Sequence, residues 1–204
     1  MNQKIKVAIF DFDDTLFFTS HISMSAYIDA TRIIGNGLEL NDMTIRLLNS
    51  GYDYRSAFVH MPNLTEASIE SIHELKLEIY NNRIPEVKPR LGIVRLMNSL
   101  VGNCKLAILS NSTRDSVTKI LRLHELYSSI DIFVTREDVK FPKPNPMGVN
   151  LILKQTRSRQ DEVILIDDSL IGIEAGHRAG IEVLFVTSLG QKLRVNDANG
   201  LDES

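Results

Sequence analysis

Two apolar runs in this sequence end abruptly in acids. Val7–Phe10 is followed by Asp11, Asp13 and Asp14, and residues 163–166 by Asp167 and Asp168. In an extended chain Asp11 and Asp13 fall on one side, with Phe12 and Asp14 on the other. Carboxylates held side by side repel and raise each other's pKa, so the pattern requires either a bound cation or a protonated acid. For hard oxygen donors the expected cation is Mg²⁺. Ser110 and Asn111 follow a third apolar run, Leu106 to Leu109, and Lys143 lies in Phe141-Pro142-Lys143-Pro144-Asn145-Pro146. A nucleophilic carboxylate, an acid/base carboxylate, a hydroxyl donor, a lysine and a metal-binding acid pair are the set that phosphoryl transfer needs, because that reaction asks mainly for positioning and charge neutralisation. Each residue also has a plainer reading: helix capping for the acids and Ser110, and a solvated loop for Lys143.

Residues so scattered meet only if the chain carries them on the ends of neighbouring strands. After Leu16 the pattern becomes helical, with Met24, Tyr27, Ile28, Thr31 and Ile34 at helical spacing and a stop at Gly35-Asn36-Gly37. A second helix is expected from Asn41 or Asp42 to Gly51, and a third from Asn63 or Thr65, carrying Ile69, Ile72, Leu75 and Ile79, to just before Pro85. From Pro89 onward strands alternate with helices: strands at 105–109, 131–135, 163–166 and 182–186, helices at 113–126, 146–155 and 169–179. That alternation predicts a doubly wound α/β fold with a parallel sheet and right-handed crossovers. Open sheets of this kind place ligands at the carboxyl ends of their strands. The last dozen residues read as a weakly ordered tail.

The 204 residues suffice for a substantial core, and a net charge of −3 without a long basic run leaves no electrostatic footprint for nucleic acid or anionic membrane. No apolar run approaches bilayer length, no signal-peptide core precedes the acids, and the single Cys104 suits a reducing compartment. A cytoplasmic location is therefore expected. The five histidines show no metal-ligand spacing, and the sequons at Asn63 and Asn111 are without meaning in such a compartment.

Taken in order, Asp11-x-Asp13-x-Thr15, Ser110 after Leu109, Lys143 between prolines, and Asp167-Asp168-Ser169 followed by Ala179-Gly180 resemble the four motifs of the haloacid dehalogenase superfamily of phosphohydrolases. The resemblance runs from Ile5 to about Thr187 and implies a Rossmann-like core at 1–18 and 87–204, with a small all-helical cap inserted at 19–86. It implies that Asp11 is a nucleophile forming an aspartyl-phosphate, that Asp13 is the acid and then the base, and that Ser110 bonds a phosphoryl oxygen. It further implies that Lys143 offsets negative charge, and that Mg²⁺ is held by Asp11, the main-chain carbonyl of Asp13 and Asp168. Many members carry another acid or asparagine where this chain has Gly172; the adjacent Asp167 is expected to compensate.

Between the cap helices, Gly51-Tyr52-Asp53-Tyr54-Arg55 occupies the place where related proteins send a loop toward the active site. Arg55 and Tyr52, together with Asn111, are thus the expected substrate contacts, Arg55 being otherwise an ordinary surface residue. The expected activity is a Mg²⁺-dependent phosphatase acting on a small phosphorylated metabolite, by a monomer or weak homo-oligomer. A phosphomutase of the same superfamily is the alternative. A phosphoreceiver-like domain fits the residue types but not their order along the chain, and a catalytically dead binding module does not explain the retention of Asp11, Asp13, Lys143 and Asp168. A dehalogenase is disfavoured, since those relatives need no acid at the position of Asp13.

Overall fold

The computed structural model describes residues 4–187 and 192–194. Its strands are β1 (Val7–Phe10), β2 (Phe17–Phe18), β3 (Lys88–Pro89), β4 (Lys105–Leu109), β5 (Ile132–Val134), β6 (Val163–Asp167), β7 (Glu182–Val186) and β8 (Lys192–Arg194). Its helices are α1 (Ser20–Ile34), α2 (Asp42–Asn49), α3 (Tyr54–Phe58), α4 (Glu66–Arg83), α5 (Leu91–Leu100), α6 (Arg114–Leu123), α7 (Met147–Thr156) and α8 (Leu170–Ala179). One sheet runs in the order β5-β4-β1-β6-β7-β8; β1, β4, β5, β6 and β7 are parallel and β8 pairs antiparallel with β7. The expected doubly wound α/β fold is therefore present, with an antiparallel edge strand added to it. Apart from β8, the tail expected to be weakly ordered lies outside the described residues.

Strand β1 shows why the sheet needs cover on both faces. Alternation sends Ala8 and Phe10 into one apolar cluster, with Ile22 and Ala26 of α1, Met97 of α5 and Ile120 of α6. Val7 and Ile9 go into the other, with Val149 and Ile152 of α7 and Ala179 of α8. A strand buried on both faces reads as a continuous apolar run, as β1, β4 and β6 do. Register completes the arrangement: Phe10 is level with Ile166 on one side and Ile108 on the other, so the chain leaving β1 at Asp11 emerges beside Asp167.

Helices α1 to α4 form a separate cluster around Tyr27, Phe58, Met61 and Ile72. Their starts follow from capping residues: Asn41 accepts from the Thr44 N–H at 2.8 Å and Thr65 from the Ser68 N–H at 3.1 Å. Three features differ from the sequence reading. The chain after Leu16 first forms β2, which pairs antiparallel with β3, so the two crossings between the sheet and the helical block are hydrogen-bonded to each other. The segment after Gly51 closes into α3, because Asp53 accepts from the Arg55 N–H at 3.0 Å. Helix α5 occupies residues between Pro89 and the strand at 105–109 to which no element is assigned from sequence, and it buries Met97 with Ile93, Val94 and Leu100 packed alongside. No described helix is long and apolar enough to cross a membrane.

Candidate active site

Lys143 is delivered by the proline-bounded segment after β5 to the ends of β1 and β6. Its ammonium lies 2.5 Å from Asp11 Oδ1 and 2.8 Å from Asp167 Oδ2, with all three side chains buried. Burial alone would lower the Lys143 pKa, but Asp11 and then Asp167 outweigh it, and the net shift is upward. Burial first, and Asp167 next, hold the Asp11 carboxyl well above the ordinary range against the pull of Lys143. Burial likewise pushes Asp168 up to about 6, with the charge of Asp167 adding to the rise and the Thr15 hydroxyl opposing it. Carboxylate oxygens of Asp11, Asp167 and Asp168 lie within 4.8 Å of one another. Three carboxylates face a single ammonium in a buried place, an excess that raises the pKa of Asp11 and Asp168 where no cation balances it, and the donors are all hard oxygens. Both observations fit a divalent cation such as Mg²⁺.

The oxygens are not equivalent. Asp167 Oδ1 accepts from the Ser169 hydroxyl at 2.6 Å and the Ser169 N–H at 2.9 Å, while its Oδ2 takes Lys143. Asp168 Oδ1 accepts from Thr15 Oγ1 at 2.8 Å, and Thr15 Oγ1 in turn accepts from the Asp168 N–H at 3.0 Å. That leaves Oδ2 of Asp11 and Oδ2 of Asp168 without a hydrogen-bond partner among the described residues. Gly172 faces this cluster, and a Cβ built there would overlap the Asp167 carboxylate. The space that a side chain at 172 would occupy is filled by Asp167 itself.

Asp13 stands apart, in a shell of hydroxyls. Ser110 donates to its Oδ2 at 3.0 Å, Ser112 to the same atom at 2.7 Å and Thr19 to its Oδ1 at 2.8 Å. Asp14, with a left-handed backbone (φ 56°), accepts from the N–H groups of Thr19 and Ser20 and so caps the start of α1. Arg90 ties the motif down by donating to the carbonyls of Asp14, at 2.9 Å, and Thr187. Above these groups lies a cavity of about 200 Å³, walled by α1, α4 and the loop between α2 and α3.

Comparison with known proteins now decides the family. A model of haloacid dehalogenase-like hydrolases matches residues 8–186. The chain belongs to the haloacid dehalogenase-like hydrolase family. A haloacid dehalogenase-like hydrolase domain-containing protein of Arabidopsis thaliana is 32% identical over 139 residues, covering 64% of this chain and 43% of that protein. The pyrophosphatase PpaX of Bacillus pumilus is 26% identical across 88% of this chain and 82% of its own. A phosphorylated carbohydrates phosphatase of Thermotoga maritima is 26% identical across 98% and 91%. Among solved structures, CbbY of Rhodobacter sphaeroides, crystallised in complex with phosphate, superposes with a TM-score of 0.80 over 97% of this chain and 92% of that one, at 22% identity, which attests the fold.

In this hydrolase the structure brings Asp11, Asp13, Ser110, Asn111, Lys143, Asp167 and Asp168 to one end of the sheet. Tyr52 reaches the cavity wall as well. Ser110 meets Asp13 rather than open space. The Asn111 amide donates to the carbonyls of Gly51 and Lys143, both at 3.1 Å, and accepts from the Lys143 N–H at 3.0 Å, so it joins the helical wall to the lysine segment. Arg55 is not brought in. It lies on the outer surface, where its guanidinium bonds Glu70 at 2.8 Å and 3.1 Å over the Tyr54 ring, because α3 turns that side chain away from the cavity.

Sequence reasoning passes over Ser112, Thr19, Lys76, His73 and Arg136, all of which line the cavity. Lys76 carried a signal, since it sits four residues after Ile72 and four before Tyr80, a lone cation within an apolar helical stripe. It is 8% exposed, and its ammonium lies over the rings of Tyr80 and Tyr27, 4.6 and 4.8 Å from their centroids. Burial lowers its pKa to about 8, with Asp13 opposing the fall. His73 stacks on Tyr54 with ring centroids 3.6 Å apart and shares a 3.0 Å hydrogen bond with the Tyr27 hydroxyl. Burial first, and then Lys76, lower its pKa to about 4.

Proposed function

We propose that the protein is a Mg²⁺-dependent phosphatase that hydrolyses a small phosphorylated metabolite through an aspartyl-phosphate on Asp11. The observation that carries this reading is the buried Lys143 bridging Asp11 and Asp167 beside Asp168, since it leaves one free oxygen on Asp11 and three carboxylates facing a single ammonium. Asp11, Asp168 and the Asp13 carbonyl would hold the metal, which when bound supplies positive charge against the phosphoryl oxygens. The Asp11 carboxylate then forms a bond to phosphorus as the bond from phosphorus to the leaving oxygen breaks, and Asp13 delivers its proton to that oxygen. In the second half Asp13 takes a proton from water as the water displaces Asp11 and inorganic phosphate departs.

The hydroxyls of Ser110, Ser112 and Thr19 suit Asp13 to both duties, because a rotating hydroxyl donates to a carboxylate and accepts from a carboxylic acid. Lys143 holds its proton throughout and pulls against the burial and the Asp167 charge that raise the Asp11 pKa, and a bound cation would favour the ionised carboxylate further. The relatives whose names include a pyrophosphatase and a carbohydrate phosphatase support a small substrate, as does the modest cavity.

The test is release of inorganic phosphate from 4-nitrophenyl phosphate by the purified protein. Activity is expected with Mg²⁺ and absent after exhaustive chelation, and acid quenching is expected to trap label from a ³²P-ester on Asp11. Label on another residue, or full activity in chelator, would overturn the reading. Turnover of a sugar phosphate without phosphate release would favour the phosphomutase instead.

A further inference from the structure

The leaving group must lie on the side of Asp13, the proton donor, and this side of the cavity contains a guanidinium that the reaction itself does not use. Arg136 follows β5 in a short turn closed by Thr135 and Asp138, and its N–H donates to the Ser112 carbonyl at 3.1 Å. Ser112 in turn bonds Asp13. The arginine is therefore fixed to the sheet, at a set separation from the reacting centre, rather than to the helical wall.

Its present partner is the Asp53 carboxylate at the start of α3, and the fit is poor. Nε and Nη2 both donate to the single oxygen Oδ2 at 3.3 Å, while Asp53 Oδ1 accepts from the Arg55 N–H. A third donor reaches the Val139 carbonyl at 3.4 Å. A guanidinium has five N–H groups, so two have no partner among the described residues. The side chain is 32% exposed and lines the cavity. On this side Lys76 and Arg136 face Asp53 and the hydroxyl-bonded Asp13, and among the described residues no carboxylate hydrogen-bonds Lys76, so its ammonium and the unpaired N–H groups of Arg136 are available to an anion.

Resting on the hydrolase reading above, we propose that Arg136 is a specificity-determining residue that binds an anionic group, a carboxylate or a second phosphoryl, on the leaving group. The planar guanidinium presents paired donors that match either anion. Because Asp53 holds it by one oxygen only, such a ligand can use the remaining N–H groups without first breaking a two-oxygen fork.

Two matched pairs of esters test this: 3-phosphoglycerate against glycerol 3-phosphate, and propane-1,3-diyl bisphosphate against 3-hydroxypropyl phosphate. Within each pair one member carries an anionic group where the other carries a hydroxyl-bearing end, and the pair that responds, after the twofold statistical factor of the symmetric bisphosphate, identifies the anion. The wild type is expected to prefer the charged member of at least one pair by about tenfold to a hundredfold in kcat/KM, the range of a charged hydrogen-bonded contact. Arg136→Gln is expected to erase most of that ratio, chiefly through KM, and Arg136→Lys to restore part of it. No wild-type preference in either pair, a ratio that survives Arg136→Gln, or an equal fall for both members of a pair would each overturn the proposal. A wild type that releases no phosphate even from 4-nitrophenyl phosphate would instead overturn the hydrolase reading, and this inference with it.

Discussion

The floor of the cavity and its helical wall are built on different principles. On the floor, Lys143, Asp167, Asp168 and Asp13 each hold at least two short polar contacts, and their places follow from strand register and the turns just beyond it. On the wall, Lys76, His73, Tyr27 and Tyr54 are placed by ring against ring and ring against cation, contacts that depend on how α1, α3 and α4 pack together. Backbone register tolerates little variation, whereas side-chain packing can be rearranged without changing the fold. The floor is thus suited to chemistry common to every phosphate ester, and the wall, together with the sheet-anchored Arg136 that faces it, to telling esters apart.

Substitutions can break that division. The largest effect is expected for Asp11→Asn, which removes the attacking oxygen and should abolish turnover of all esters, by roughly 10⁴-fold or more. Asp13→Asn should cost roughly 10²- to 10⁴-fold, and least on esters with good leaving groups, since these depend least on the proton that Asp13 donates. Comparable residual rates for the two variants on 4-nitrophenyl phosphate would show that the two carboxylates do not have separate jobs.

The next effect is on stability. Lys143→Met leaves Asp11 and Asp167 buried together without their cation. Breaking a buried ion pair in this way costs about 3–5 kcal/mol. In a domain of this size the melting temperature measured without Mg²⁺ should fall by roughly 6–20 °C. A fall within the error of the melting curve would mean that charge balance does not hold the floor together.

On the wall the expected effects are smaller and depend on pH. His73 has a folded pKa of about 4 against an ordinary 6.5. The unfolded chain therefore binds the proton first, and stability drops as pH falls from 6.5 toward 4, with no contribution above that window. His73→Gln should flatten this part of the profile of melting temperature against pH; an unchanged slope would place the acid sensitivity elsewhere. The smallest effect is expected for Arg55→Ala, which removes an exposed ion pair with Glu70 on the outer surface and should leave the ratio of rates between esters where it was. A change in that ratio would return Arg55 to the substrate side and blur the distinction between wall and exterior.

The same division explains what the sequence revealed. Asp11, Asp13, Ser110, Asp167 and Asp168 are legible because a four- or five-residue apolar run followed by polar groups marks a strand tip, and neighbouring tips share one end of a parallel sheet. Thr15 is visible as part of its motif, although its bonds to Asp168 require strands β1 and β6 to be adjacent. Arg136 and Arg90 gave no signal, since each is an arginine in a connecting segment whose partners are distant in sequence. Arg55 was misjudged for a local reason: Asp53 caps a helix of only five residues, and that one turn rotates the following arginine outward. The strands β2 and β3, two residues each, are too short for any alternation to show. Helix α5 is legible in the spacing of Ile93, Val94, Met97 and Leu100, and it is passed over because the alternation of strands and helices after Pro89 is counted from the strand at 105–109.

Gly172 bears on how this site could change by descent. The Asp167 carboxylate lies where a Cβ at 172 would stand, so an acid introduced at 172 alone collides with Asp167, and Asp167 removed alone leaves Lys143 with a single carboxylate. Two neighbours sharing one space do not contribute independently to stability. Moving the carboxylate from 167 to 172 therefore passes through a damaged intermediate whichever substitution comes first. A chain that holds the aspartate-and-glycine pairing is confined to it by single mutational steps, and the exchange requires both positions to change together.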